Sequence, residues 1–187
     1  SPSSSTMLMG IYSTSKTFFG LANQQFYFNE DKWRANFMVG AGDIFFQYYQ
    51  GLPDWGGSYG QTYEDGVWID FETVVLFFQA KLRRQIVKYF YAGLETTLTD
   101  AQTEFDVKNL ITGEKIKSNA IMNMVGYNLL FDNRDNVNFP VKGYYIQFAN
   151  NFIREGMGSS SNFDSYELSI TKFWDIKGNG KSILVPR

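Results

Sequence analysis

The residues of this chain that could do chemistry are carboxylates, lysines, arginines and tyrosines, because the sequence contains no histidine and no cysteine. Thiol nucleophiles, structural zinc sites of the usual kinds and imidazole bases are therefore excluded. Strand alternation predicts that Asp70, Glu72 and Glu95 lie on one inner face of a sheet, where they could form a carboxylate pair for acid–base work. No serine is set beside a recognisable base, so we expect no catalytic site, no cofactor and no metal site.

A second group of charged residues is concentrated at the centre of residues 126–148, GYNLLFDNRDNVNFPVKGYYIQF. Apolar and polar residues alternate on both sides of that centre, which predicts two antiparallel strands joined by a structured turn. The turn residues of interest are Asp132, Arg134, Asp135, Asn136, Phe139, Pro140 and Gly143. We expect their charges to form a salt-bridged turn that sets the register of the two strands; the alternative is a surface that contacts a partner.

A third group, Lys81, Arg83 and Arg84, is basic and is predicted to crowd a tight turn at residues 83–85. The interpretation is either a solvated basic turn or a site for lipid phosphates at the rim of a membrane.

The elements that must position these groups are strands. Aromatic residues make up 18% of the chain, and they alternate with asparagine, glutamine, serine, threonine and glycine. A transmembrane β-barrel needs this pattern, with apolar residues outside and polar residues inside. No apolar run approaches the roughly 18 to 20 residues of a spanning helix. The net charge of -2 gives no basic field for nucleic acid.

The alternation predicts an all-β, antiparallel up-and-down transmembrane barrel of eight strands with a ninth begun. Residues 1–5 are interpreted as a linker or tag remnant, and residues 6–187 as one barrel domain. The predicted strands span residues 6–13, 17–28, 33–48, 67–82, 86–99, 120–131, 143–153, 163–174 and 182–185.

Residues 51–66 and 100–118 are predicted loops. Residues 74–78 are apolar in both phases, for which a bulge and a filled interior are equal explanations. The final Leu-Val-Pro-Arg is either the start of a native strand or the remnant of a protease site.

One phase of these strands is predicted to face lipid. Its members are Trp33, Phe37, Val39, Tyr127, Leu129, Tyr144, Ile146 and Phe148. A charge placed at Phe37 or Val39 is expected to disturb folding into a bilayer, and the same change at Asn36 or Gly40 is expected to be milder. Short and long connections alternate along the chain, which favours a barrel with its N-terminus on the periplasmic side.

The turn and the strands around it resemble the barrel of the bacterial surface antigen superfamily, of the BamA/TamA type. The resemblance rests on Asp132-x-Arg134-Asp135-Asn136 and Phe139-Pro140-x-x-Gly143, followed by the strand that contains Lys172-Phe173-Trp174. It implies a sixteen-stranded barrel in the bacterial outer membrane that inserts or secretes other barrel proteins, or moves lipid. The implied partners are the lipid bilayer and client outer-membrane proteins or periplasmic factors. The family's periplasmic repeats and its Arg-Gly-Phe or Arg-Gly-Tyr motif are absent from this sequence.

The length of 187 residues leaves alternatives open. Either the chain is part of a longer barrel, or it closes alone as eight strands. A half-barrel would have unpaired edges in lipid and would have to dimerise or be completed by further chain. The functional alternatives are a small barrel that binds an apolar ligand, as lipocalins do, and a passive pore.

Overall fold

The computed structural model describes residues 2–50, 67–108, 116–176, 178 and 183–186. These residues form nine antiparallel strands in one up-and-down sheet, in which each strand pairs with the next along the chain. The strands are β1 (Ser5–Tyr12), β2 (Phe18–Phe28), β3 (Trp33–Gln50), β4 (Val67–Val87), β5 (Phe90–Lys108), β6 (Ile116–Asp132), β7 (Gly143–Ile153), β8 (Phe163–Asp175) and β9 (Ile183–Leu184). A single turn of 3₁₀ helix, Glu155–Met157, lies between β7 and β8.

The predicted all-β, up-and-down architecture is confirmed. Within the described ranges β1 pairs with β2 alone and β9 with β8 alone, so the sheet is open and corresponds to part of a barrel wall. In the same ranges no helix has the length and apolar character needed to cross a membrane. The predicted loop at residues 51–66 lies outside the described residues.

The predicted basic turn at residues 83–85 is wrong. Strand β4 continues to Val87, and the chain reverses at Lys88 and Tyr89, where Tyr89 has a φ of 68°. Consecutive charges are typical of turns, which is why a turn was predicted here. In the structure Arg83 and Arg84 continue the alternation of the strand and point to opposite faces of the sheet.

The predicted polar loop at residues 100–118 is strand over 100–108 and 116–118, and its middle, 109–115, lies outside the described residues. β5 extends to Lys108 and β6 begins at Ile116. Cross-strand contacts compensate for the polar composition: the hydroxyl groups of Thr73 and Thr103 lie 3.1 Å apart, and the rings of Phe71 and Phe105 meet edge to face at 5.1 Å. β5 and β6 therefore extend beyond the strands at 86–99 and 120–131 that periodicity predicted.

One face of the sheet is concave. Arg34 on β3 contacts Asp132 at the end of β6, although β4 and β5 lie between these strands, and a flat sheet would hold the two residues too far apart. We call this face the inner face and the opposite one the outer face. Buried polar residues, including Glu95, Asn128 and Asp132, lie on the inner face. Apolar side chains are exposed on the outer face, for example Leu94 at 68% and Leu168 at 65%.

The apolar segment at residues 74–78 contains no bulge. Among the described residues of β4, the register shifts between Gln85 and Val87, well away from this segment. Phe77 lies on the inner face opposite Gly40 and stacks with Phe19 at 6.4 Å. A side chain at Gly40 would overlap the Phe77 ring, so a substitution there requires this ring to move.

Candidate functional site

Charged and aromatic side chains meet on the inner face at the end of the sheet where the chain makes its short turns. We call this group the inner charge cluster: Asp31, Arg34, Tyr91, Asp132 and Arg134. Asp31 comes from the β2–β3 turn, Arg34 from β3, Tyr91 from β5, Asp132 from the end of β6 and Arg134 from the β6–β7 turn. The cluster therefore connects three strands and two turns across the concave face.

Arg34 is the centre of this cluster. Its Nε and Nη2 donate to Asp31 at 2.8 and 2.7 Å, and its Nη1 donates to Asp132 at 2.6 Å. The side chain of Arg34 is 10% exposed and that of Asp132 is 1% exposed. Because both partners are shielded from water, these are charge-assisted hydrogen bonds of the strong kind.

Tyr91 also contacts Arg34. Its hydroxyl group donates to Asp31 Oδ2 at 2.9 Å and accepts from Arg34 Nη2 at 3.1 Å, while its ring lies 4.1 Å from the guanidinium carbon. A cation over an aromatic face at this distance adds attraction to the ion pairs.

The turn that carries Asp31 has an unfavourable backbone. Asn29, Glu30 and Asp31 all have positive φ, at 54°, 56° and 67°. Such left-handed conformations cost roughly 1–2 kcal/mol per residue, and asparagine and aspartate tolerate them best. The bidentate contact with Arg34 offsets this cost and holds the Asp31 carboxylate over the inner face.

Asp132 and Arg134, two residues of the predicted motif, contact each other directly. Arg134 donates from Nε and Nη2 to the two carboxylate oxygens of Asp132 at 2.7 and 2.9 Å, and its Nη1 donates to the carbonyl oxygen of Val137 at 3.1 Å. Burial alone would lower the pKa of Arg134, but the Asp132 carboxylate outweighs it and the pKa is raised. Asp132 thus joins Arg134 to Arg34.

Asp135 folds the turn itself. Its Oδ1 accepts hydrogen bonds from the backbone N–H groups of Asn136, Val141 and Lys142 at 3.0, 2.9 and 3.1 Å. Slight burial acts to raise the pKa of Asp135, but these backbone donors outweigh it and hold the pKa below its ordinary value. The negative charge is therefore part of the turn geometry.

The other motif residues also shape the turn. Asn136 Oδ1 accepts from the N–H groups of Asn138 and Phe139 at 2.9 and 3.0 Å. Gly143 has a φ of 115°, and a Cβ atom there would lie 2.7 Å from the carbonyl oxygen of Asn133. The Phe139 side chain is 80% exposed, and nothing in the structure explains an aromatic residue at this position.

A second chain of contacts lies beside the inner charge cluster. Lys81 pairs with Glu95 at 3.2 Å, and Asn128 donates to Glu95 at 3.2 Å. Arg83 donates from Nε to the Asn128 amide oxygen and from Nη2 to Gln147 Oε1 at 3.2 Å. Lys81 and Arg83 are therefore directed into the concave side, away from any lipid phosphate on the outer face.

The three carboxylates predicted to lie on one inner face are divided between the two faces. Nine positions of unshifted strand separate Glu72 from Lys81, so Glu72 lies on the outer face while Glu95, opposite Lys81, lies on the inner face. Asp70 shares the phase of Glu72 and accepts a hydrogen bond from Gln47 at 2.8 Å. In the part of the chain that the structure describes, no group of acidic residues is arranged to hold a metal ion.

Three residues of the site were not predicted from the sequence: Asp31, Arg34 and Tyr91. A detectable signal was present, since Asp31 and Arg34 stand three residues apart across the start of a strand. The contact with Asp132, 98 residues away, depends on the curvature of the sheet and has no local signal.

A protein-family model supplies the comparison that decides the identity of this fold: the Omp85 superfamily domain matches residues 10–187. The chain belongs to the Omp85 superfamily. The resemblance to surface antigen barrels of the BamA/TamA type is thereby confirmed. Neither the curated proteins nor the solved structures gave a match. The Omp85 superfamily is associated with the outer membrane.

In this Omp85 sheet, the residues predicted to face lipid share the outer face. The register pairs place the following on it: Trp33, Phe37, Val39, Tyr127, Leu129, Tyr144, Ile146 and Phe148. Their contact with lipid stays a prediction.

The outer face also carries pairs of basic and aromatic side chains near the turn end. The Arg84 guanidinium lies 5.5 Å from the Trp33 ring, and Lys172 Nζ lies 5.4 Å from the Tyr144 ring and 4.9 Å from the Trp174 ring. We call these residues the basic–aromatic rim. Such amphipathic side chains are typical of the level where a membrane meets water.

Proposed function

We propose that this chain forms a wall of an outer-membrane barrel that acts without catalysis in the assembly, secretion or transport of other molecules. The observation that carries the proposal is the division between the two faces of the sheet. The outer face exposes apolar side chains such as Leu82, Leu94 and Leu98 at 47, 68 and 49%, whereas charged groups are buried on the inner face. This is the polarity that a bilayer demands of a barrel wall.

The same division argues against a soluble barrel that binds an apolar ligand. Such a protein needs a polar exterior and an apolar interior. Here the inner face contains two buried ion-pair systems, one centred on Arg34 and the other on Glu95. An apolar ligand placed against them would leave charged groups without water or would have to displace their partners.

The basic–aromatic rim supports the membrane proposal independently. Trp33 and Tyr144 begin β3 and β7, and Trp174 lies near the end of β8, so all three stand at the same level of the sheet. Because the rings and the cations occur together on the outer face, this level suits the boundary between acyl chains and headgroups.

The edges of the sheet also need partners in a bilayer. Within the described residues, β1 and β9 each pair on one side. An unpaired edge in hydrocarbon costs several kcal/mol for each backbone group. We therefore propose that the edges are paired in the membrane by further strands or by a second copy of the chain. The mass of the folded species in detergent, measured by light scattering, distinguishes one copy from two.

The membrane proposal is tested by folding the purified chain with and without detergent micelles or lipid vesicles. We expect strand content by circular dichroism and a defined particle size only when micelles or vesicles are present. A chain that is folded and monomeric in buffer alone would contradict the proposal.

An assembly factor and a passive pore are separated by a pair of measurements on vesicles that contain the protein. The first is the folding rate of a second outer-membrane barrel protein added unfolded, which an assembly factor increases above the rate for empty vesicles. The second is ion conductance across a planar bilayer. Steady conductance with no change in the folding rate would favour a passive pore.

A further inference from the structure

Arg83 has an unusual electrostatic environment on the inner face. It lies directly opposite Arg34 in the register of β3 and β4, and like charges in that position repel each other. Arg34 has the carboxylates of Asp31 and Asp132 as counter-ions, and Lys81 has that of Glu95. The strand pairing therefore brings three cations together before any partner of Arg83 is considered.

The partners of Arg83 are neutral. Its Nε and Nη2 donate to the amide oxygens of Asn128 and Gln147, and its Nη1 makes no hydrogen bond within the described ranges. In those ranges, no carboxylate lies within ion-pair distance of the guanidinium group. Amide oxygens orient a guanidinium group but do not neutralise its charge, so one positive charge is left uncompensated beside Arg34.

A small cavity adjoins this uncompensated charge. Arg83, Arg34 and Lys81 line it together with the rings of Tyr27 and Tyr145. Its volume is about 60 Å³, well above the roughly 10–15 Å³ that one water molecule needs. The space is partly open, and with three cationic side chains in its lining it suits a carboxylate group or a similarly small anion. No acidic side chain lines the cavity in the described part of the molecule.

We propose that this cavity binds a single carboxylate, held by the Arg83 guanidinium group. The carboxylate supplies the negative charge that the strand pairing lacks and accepts the hydrogen bond that Nη1 is free to donate. The same chemistry is available from a free carboxylate ion and from an aspartate or glutamate side chain on a protein segment in the concave side. The site lies on the inner face and is independent of the proposed function.

The test measures the thermal unfolding midpoint of the full chain, folded in detergent micelles, as sodium acetate is added. Ionic strength is kept constant by replacing sodium chloride with sodium acetate, since chloride lacks the paired oxygen atoms that a guanidinium group binds. Acetate that binds the folded state raises the midpoint along a saturable curve. We expect that rise in the unmodified chain and in Arg84→Gln, which removes the neighbouring charge on the outer face.

In Arg83→Gln we expect the dissociation constant for acetate to increase about tenfold or more, in line with the loss of a charged hydrogen bond. Arg83→Lys keeps the charge but not the fork of donors, and it serves if the glutamine variant does not fold; its affinity for acetate should fall several-fold. The proposal is overturned if acetate gives the unmodified chain no saturable rise, or if the rise is the same in the Arg83 variants.

The source of the carboxylate is identified by repeating the titration with a blocked tripeptide whose central residue is aspartate. Saturation at a lower concentration than acetate indicates an acidic side chain as the ligand. Saturation at an equal or higher concentration indicates a free carboxylate ion. Either result supports the site, provided that Arg83→Gln weakens the binding about tenfold or more.

Discussion

Replacing Arg34 by methionine should destabilise the folded chain by about 3 kcal/mol, because it breaks a buried ion pair by removing one partner. Methionine keeps most of the aliphatic volume but donates no hydrogen bond. The Asp132 side chain, 1% exposed, would lose the 2.6 Å contact and keep Arg134, whereas Asp31 would keep only the Tyr91 hydroxyl group of its contacts within this cluster. The retained partners place the cost at the lower end of the range for such losses, and the strained Asn29–Asp31 turn adds to it.

The assay is urea unfolding of the chain in lipid vesicles, followed by tryptophan fluorescence. Arg84→Met is the matched control, since Arg84 lies on the outer face over Trp33, and it should cost less than about 1 kcal/mol. A cycle with Asp31→Asn should give a coupling energy of about 1–3 kcal/mol. Equal effects of Arg34→Met and Arg84→Met, with no coupling to Asp31, would refute the role given to the inner charge cluster.

Three further predictions concern the faces of the sheet and the β6–β7 turn. Phe37 is 43% exposed on the outer face, and replacing it by arginine should destabilise the chain folded in vesicles by about 2–4 kcal/mol. Arginine in place of Asn36, on the inner face, should destabilise it less. Equal losses of stability would show that the two faces are misassigned. Gly143→Ala should clearly lower the unfolding midpoint, because Gly143 has a φ of 115°. Gly10 has open space around it, so Gly10→Ala should change the midpoint little. Similar shifts in the two variants would count against the turn geometry. Asp135 has a lowered pKa, so its stabilising contribution is full above the ordinary aspartate pKa and is lost as the pH falls through its lower, folded-state value. Unfolding curves measured from neutral to acidic pH should accordingly be less pH-dependent in Asp135→Asn, and an unchanged slope would contradict this.

The fold was largely predictable from the sequence because alternation has a strong local signal in strands. The two arms around the β6–β7 turn, for example, span residues 116–132 and 143–153 in the structure and were expected at 120–131 and 143–153. The errors occurred where polar residues occupy strands, as at Arg83, Arg84 and residues 100–108. Their polarity indicates a loop locally, and the pairing partners that make a strand favourable are far away in sequence.

The site was predictable only in part, for a similar reason. Asp132, Arg134 and Asp135 stand out as a charged turn, and their contacts with one another and with the turn backbone are local. The contact from Asp132 to Arg34 spans 98 residues and exists because the sheet is curved. Periodicity assigns a residue to a face but does not give the curvature that determines which residues of that face meet.

The two-faced sheet is tested most directly by a spin-label scan of β5 in lipid vesicles. The chain has no cysteine, so each single-cysteine variant carries one label at a known position. We expect labels at Leu94 and Leu98, exposed on the outer face, to collide frequently with oxygen dissolved in the acyl chains, and labels at Thr97 and Thr99, on the inner face, to be shielded from it. Equal oxygen accessibility at all four positions would contradict a barrel wall with one face in lipid.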